Sequence, residues 1–161
     1  MLEILAEAAA WMRGRGHENW PDRFPRHFIE SHATADELHV VEIDGSIVAT
    51  LTLQWSDARF WGETDPEAGY VHRLAVRRHH AGQRLGYRLL DWAGEQVLAR
   101  GRELLRLDVL STNAPLREYY ERAGFAYRRD VEGEELWRDG TRWSWRTSLY
   151  ERPCRRAAGV T

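Results

Sequence analysis

Residues 69–90 constrain this chain more than any other stretch. They read as a buried strand, a basic loop with glycine in it and the start of a helix, in that order. The strand is Gly69-Tyr70-Val71-His72-Arg73-Leu74-Ala75-Val76, and the loop is Arg77-Arg78-His79-His80-Ala81-Gly82-Gln83-Arg84. The helix opens near Leu85-Gly86-Tyr87, and Leu89, Leu90, Ala93 and Val97 recur at helical spacing, which predicts one buried face. A loop that delivers backbone N–H groups to a helix N-terminus is suited to an anion, because the unpaired donors and the helix dipole both favour negative charge. Gly82 and Gly86 leave out side chains where a phosphate needs close backbone approach.

The remaining chain reads as alternating α and β elements. An Ala-rich helix is predicted over 3–13 and a short one over 26–32. Leu38–Ile43 and Ser46–Trp55 form a hairpin about Asp44-Gly45. Residues 56–68 are polar and irregular, and 104–110 form a mostly apolar strand suited to the centre of a sheet. Ser111-Thr112-Asn113 is a helix entry with Pro115 in the first turn, and Gly124 ends that helix. Strands over 125–129 and 141–150 close the fold, and 153–161 is expected to be a frayed tail on a single 1–152 domain. The expected fold is α/β: a mixed, twisted sheet of six or seven strands with helices on both faces. Strands 69–76 and 104–110 are expected to be parallel neighbours, splayed at one end.

Composition narrows the possible functions. A formal net charge of −2 gives no general attraction to nucleic acid or a membrane surface. All 23 basic residues are arginine, so a P-loop, which needs Gly-Lys-Ser/Thr, is disfavoured. A single cysteine, Cys154, allows no internal disulfide, and the acidic start is unlike a signal peptide; both point to the cytoplasm. His72, His79 and His80 match no strong zinc spacing, so no metal is expected.

A second stretch, Asn113 followed by Tyr120-Glu121-Arg122-Ala123-Gly124-Phe125, joins the first to make a pattern. Together they resemble the GNAT family of acetyl-CoA-dependent N-acyltransferases, in element order as well as in motif. The family's Arg/Gln-x-x-Gly-x-Gly/Ala loop maps to Ala81-Gly82-Gln83-Arg84-Leu85-Gly86, with Ala81 in place of Arg or Gln and Arg84 in place of the central glycine. The resemblance implies transfer of the acetyl group of acetyl-CoA to a primary amine. It implies a pantetheine arm held along Leu74, Ala75 and Val76, a pyrophosphate at Gly82, Gln83, Arg84, Leu85, Gly86 and Tyr87, and contact from Asn113. Asn113 also reads as a helix N-cap, and Arg77 and Arg78 either face the phosphates or form a solvated turn.

The resemblance casts Tyr120 as the acid that protonates the departing thiolate, with a core tyrosine as the alternative and Tyr119 as an exposed neighbour. For the base, strand alternation puts Tyr70, His72, Leu74 and Val76 on one face, with His72 near the thioester end. Glu63, Asp65 and Asp57 compete for that role, and a hydrogen-bonded core histidine is the plain reading of His72. The acceptor is open: a small, partly apolar amine lined by Trp20, Trp55, Trp61 and Trp143, or a protein or peptide amine. A non-catalytic acyl-CoA sensor is the alternative of different class, and a homodimer is left open.

Overall fold

The computed structural model describes residues 1–17, 20–62, 67–136 and 142–155. The chain runs α1 (Leu2–Arg13), α2 (Arg26–Thr34), β1 (Leu38–Ile43), β2 (Ser46–Gln54), α3 (Ala58–Trp61), β3 (Ala68–Val76), α4 (Leu85–Ala99), β4 (Leu104–Leu110), α5 (Ala114–Arg122), β5 (Ala126–Leu136) and β6 (Arg142–Pro153), with a 3-10 turn at Arg78–His80. The six strands make one sheet in the order β1-β2-β3-β4-β6-β5. The β3–β4 pair is parallel, and β1–β2, β2–β3, β4–β6 and β5–β6 are antiparallel.

The hairpin forms at Asp44 (φ 50) and Gly45 (φ 74), the two left-handed positions of a turn whose twist matches its strands. Two apolar cores follow from the two sheet faces. On one face Leu89, Leu90, Ala93 and Val97 of α4 pack on Leu51, Leu53, Val71, Leu105, Leu107 and Val109. On the other, Ile4 and Leu5 of α1 and Ile29 of α2 close over Ala75.

Two elements exceed their sequence limits. Strands β5 and β6 pair from Ala126↔Glu151 out to Leu136↔Arg142, well past the expected end at 129. The charged run 128–135 looks like loop, but its cations and acids pair across the ladder, as Arg146 does with Asp130 at 2.8 Å. At the other end, β6 continues through Pro153 and the Cys154 N–H donates to the Glu103 carbonyl at 2.7 Å, so the part of the expected tail up to 155 is held to the sheet. Residues 156–161 lie outside the described ones.

The parallel pair, β3 and β4, is joined only from Ala68↔Leu104 to Val71↔Leu107. Beyond Val71 the strands part. On the β2 side, Thr52 faces His72 and Thr50 faces Ala75, so three steps of β3 oppose two of β2. The extra residue is Arg73, in the left-handed region at φ 52. A β-bulge of this kind breaks the two-residue alternation. Val71, Leu74 and Val76 therefore share the α4 face, while Ala75 turns to the α1–α2 face. The alternation expected for Tyr70, His72, Leu74 and Val76 stops at His72.

The α4 helix sits close on β3 because Gly69 has no side chain. A Cβ there would lie 2.5 Å from Val97 Cγ2. Gly69→Ala is expected to lower the unfolding free energy by about 1 to 3 kcal/mol through overpacking, read by urea denaturation.

Candidate active site

Where β3 and β4 part, a cavity of about 1200 Å³ opens. It reaches from the 78–87 loop, past Leu74–Val76, to His72 and Asp108, and on to aromatic side chains of the α1–α2 connection, α3 and β6. Every residue expected to form the site lines it except Gln83, which is exposed.

At the loop end, Gly82 (φ 83) and Arg84 (φ 60) are both left-handed, and a Cβ at Gly82 would meet nothing within 4 Å. The Arg84 conformation explains why glycine suits this position: an L side chain there costs roughly 1 to 2 kcal/mol. No side chain caps the N-terminus of α4, so its first-turn N–H groups are left for another partner. Arg84 holds its guanidinium 5.5 Å from the Tyr87 ring centroid. The two arginines before the loop diverge. Arg77 pairs with Glu3 at 3.1 Å and Glu7 at 3.3 Å, tying α1 to β3, and so does not face the cavity's anion end. Arg78 lies 4.2 Å over the Trp11 ring and lines the cavity.

Asn113 is buried, and its Oδ1 accepts from the Leu116 N–H at 3.2 Å, so its N-cap role is real. The motif at the far end of α5 fixes Tyr120 in several steps. Gly124 takes φ 86, the Phe125 N–H returns to the Tyr120 carbonyl at 3.0 Å, and the two rings meet edge to face at 5.8 Å. Glu121 accepts from the Tyr150 hydroxyl at 2.8 Å, which anchors α5 to β6. Tyr120 is buried against the core yet lines the cavity, and burial raises its phenol pKa, with the nearby Tyr119 and Asp108 adding to the shift.

Tyr119 is half-buried rather than exposed. It stacks on Tyr87 at 4.5 Å and 19°, with its hydroxyl over Gly86. A Cβ on Gly86 would overlap that hydroxyl, while the next atom, Tyr119 Cζ, lies 3.4 Å away. Gly86 is thus spared a side chain by α5, so a substitution there meets Tyr119 first.

The centre of the cavity holds an arrangement that strand reading alone does not reach. The His72 ring sits between two carboxylates: Nε2 is 3.3 Å from Asp57 Oδ2, and Nδ1 is 3.4 Å from Asp108 Oδ1. Thr147 Oγ1 donates to Asp108 Oδ2 at 3.3 Å. Burial alone would lower the His72 pKa, but the Asp108 and Asp57 carboxylates beside the ring outweigh it and raise it to about 9. The two carboxylates thus favour the imidazolium form of His72. These three residues are also the ones among the described residues that could hold a metal ion. One ligand atom from each of the three lies within 4.8 Å of the other two.

Asp108 escaped sequence reasoning because it sits inside an apolar strand. The signal available was a single carboxylate in Leu104–Leu110 at the strand end that faces β3. Asp57 is reached through α3, where its Oδ1 accepts from the Phe60 N–H at 3.4 Å. The competitors Glu63 and Asp65 lie outside the described residues. Of the expected aromatic wall, Trp20 lines the cavity, Trp55 lies under Arg100 and Arg102, and Trp61 lies under Arg106. The Trp143 side chain lies outside the described ones. Trp11, Phe24, Phe60 and Trp145 join the wall instead.

Comparison with known proteins decides the family. Residues 3–125 match the acetyltransferase (GNAT) family. The chain is a GNAT acetyltransferase. Over 143 residues it is 31% identical to an uncharacterized N-acetyltransferase, YesJ, of Bacillus subtilis, covering 83% of this chain and 79% of that one. A GNAT acetyltransferase structure from Listeria monocytogenes superposes with a TM-score of 0.71 at 22% identity, over 94% of this chain and 86% of that one. YncA from Salmonella typhimurium, solved with its cofactor acetyl-CoA, gives 0.63 at 17% identity, over 99% and 90%. This GNAT chain is therefore an acetyl-CoA-dependent N-acyltransferase of the same fold. Among its described residues, no helix is long and apolar enough to cross a membrane.

Two outcomes follow from the acetyltransferase's geometry. Gly86→Ala should destabilise by about 1 to 3 kcal/mol, and adding Tyr119→Phe, which deletes the overlapping oxygen, should restore most of it in a thermal melt. The second concerns pH. Because the His72 pKa is raised from 6.5 to about 9 on folding, its stabilising contribution is complete below about 6.5 and fades as pH climbs through 9. Urea unfolding between these limits should show a loss on the order of 1 to 3 kcal/mol, and His72→Gln should flatten that slope.

Proposed function

We propose that this acetyltransferase moves the acetyl group of acetyl-CoA onto a primary amine of a small molecule, in the cavity where β3 and β4 part. One observation carries the reading: an anion-ready helix start, a parted strand pair, a buried phenol and a carboxylate-flanked histidine line or border one continuous cavity. The residues fit the group. The uncapped N-terminus of α4 and the open left-handed Gly82 suit a pyrophosphate, with Arg84 and Arg78 beside it. The parted stretch Leu74–Val76 has no β4 partner, which leaves backbone groups for the amides of a pantetheine arm, with Asn113 nearby. When bound, acetyl-CoA supplies an acyl group activated as a thioester.

The chain's own task is to manage two protons. Tyr120 holds one on its hydroxyl. Its raised pKa keeps the phenol protonated across the working pH range, so it is always loaded as a donor to a thiolate. His72 and its carboxylates take the other, from the acceptor's ammonium. A base with a pKa near 9 is closely matched to an alkylammonium group, so transfer between them is nearly level in energy. The cost is that only a minor neutral fraction of His72 is available at pH 7.

Steady-state kinetics test both roles. Tyr120→Phe should lower kcat by about tenfold to a thousandfold with little change in CoA affinity. The pH profile of kcat/KM should rise to a limb near 9, and His72→Gln should remove it. Acceptor amines of different pKa separate the enzyme's limb, which stays in place, from the amine's own, which moves. An unchanged kcat in Tyr120→Phe would return that residue to the core.

A further inference from the structure

We propose that Asp57, His72 and Asp108 form a binding site for a divalent cation of the zinc class, and that an ion held there stops the histidine from acting as a base. The second half rests on the proposed function; the first stands on geometry alone. The three residues come from the start of α3, from β3 and from β4, and one ligand atom from each lies within 4.8 Å of the other two. Asp57 and Asp108 stand 15 and 36 positions from His72, so the sequence shows no zinc spacing.

Two unpartnered atoms point to an ion. His72 Nε2 and Asp57 Oδ2 lie 3.3 Å apart. Both are buried, and neither has a hydrogen bond among the described residues. The Asp57 side chain is only 7% exposed, which makes a bare carboxylate oxygen costly. Its other oxygen, Oδ1, already accepts from the Phe60 N–H at 3.4 Å. Zinc takes imidazole nitrogen and carboxylate oxygen at about 2.0 to 2.2 Å, and a tetrahedral angle then separates the two by roughly 3.3 to 3.5 Å. The observed gap matches that edge. Asp108 is the third ligand. Thr147 Oγ1 donates to its Oδ2 at 3.3 Å and holds the carboxylate beside the ring, as outer hydrogen bonds do for metal ligands. The cavity leaves the fourth position to solvent.

The cation that opposes such an ion is Arg73. It lines the same cavity and feels the charge of Asp108, but it also feels that of Glu37, and its Nε donates to Thr52 Oγ1 at 3.2 Å. Two carboxylates, a neutral imidazole and one guanidinium sum to one negative charge, so a divalent cation still meets attraction. Arg146 is paired with Asp130 at 2.8 Å, and Arg59 lies over the Phe60 and Trp145 rings at 5.1 and 5.6 Å. The nitrogen ligand favours zinc over magnesium, which prefers oxygen throughout. With Nε2 on the ion and the remaining ring proton on Nδ1, beside Asp108, the imidazole has no lone pair left for an ammonium proton.

The test uses the full chain, stripped of metal by a chelator and moved into phosphate-free buffer. Zinc chloride is titrated in competition with a chromophoric zinc indicator. The expected result is one zinc per chain, undisturbed by millimolar magnesium, with Asp57→Asn and His72→Gln each weakening it by about tenfold or more. Cobalt(II) in place of zinc should give the visible absorption of a tetrahedral ion, lost in the same variants. Acetylation of butylamine or 2-phenylethylamine should fall along the same zinc titration. It is followed by chromatography of the product, because the thiol of released CoA itself binds zinc. CoA binding by calorimetry identifies folded variants, and Asp57→Asn, which can keep the Phe60 contact, carries the test if His72→Gln does not fold. No saturable zinc, or zinc unmoved in the folded variants but lost in His79→Gln/His80→Gln, overturns the inference and leaves the proposed function standing. Zinc bound at the site with acetylation undiminished overturns the second half, and with it His72 as the base. No acetylation of any amine by metal-free protein that binds CoA overturns the proposed function and the second half, while the site stands on the indicator and cobalt readings.

Discussion

The parting of β3 from β4 is the constraint on which the rest of the site depends, and Arg73 marks where it happens. A left-handed arginine in a strand costs roughly 1 to 2 kcal/mol relative to the ordinary β conformation. The surrounding structure holds it there, with Arg73 Nε donating to Thr52 Oγ1 at 3.2 Å and the β2 ladder resuming at Ala75. Parallel pairing with β4 ends at Val71, just before the bulge, and the bulge reverses which side chains face which core. His72 and Asp108 are left as the first residues beyond the last pair, facing each other across the gap.

The two motifs are devices for local geometry as much as for chemistry. Gly124 and Phe125 close the end of α5 so that Tyr120 is turned inward, and Glu121 locks that helix to Tyr150. Asn113 spends one oxygen on the helix start. Gly86 is bare because Tyr119 occupies the space above it. Each motif residue therefore has a structural duty that can be stated from contacts alone, and the chemical duty proposed for it falls to whatever atoms remain. In Tyr120 that is a buried hydroxyl at the cavity wall. In the 82–87 loop it is a set of uncapped amides.

Burial decides the chemistry of His72 by competition. Desolvation opposes the imidazolium, and two carboxylates within 3.4 Å favour it more strongly. The outcome is an imidazole held between two carboxylates, with Arg73 lining the same cavity. Asp108 connects His72 and Tyr120: it pairs with the first and its charge raises the pKa of the second. Removing either carboxylate would therefore change the protonation of His72 as well as its orientation.

Local signals in the sequence were enough for most elements and for the loop. Helical spacing over 85–97, the Asp44-Gly45 hairpin, the Asn113 cap and the Gly124 stop each depend on neighbours a few residues away, so the chain determined them by itself. Of the two tyrosines beside the Gly124-Phe125 stop, Tyr120 is buried and Tyr119 half-buried. Tertiary structure alone decided the remainder. The bulge at Arg73 carries no mark in a strand otherwise rich in apolar residues, because it is defined by the register against β2. Asp57 and Asp108 lie 15 and 36 positions from His72 in the chain. Arg77 read either as facing the phosphates or as part of a solvated turn, and α1 brings Glu3 and Glu7 to it. The long β5–β6 ladder and the Trp145 wall depend on cross-strand pairing that single-strand composition does not contain. What a residue touches across the sheet is set by packing over long sequence separations, and the charge state and chemistry of the site follow from those contacts.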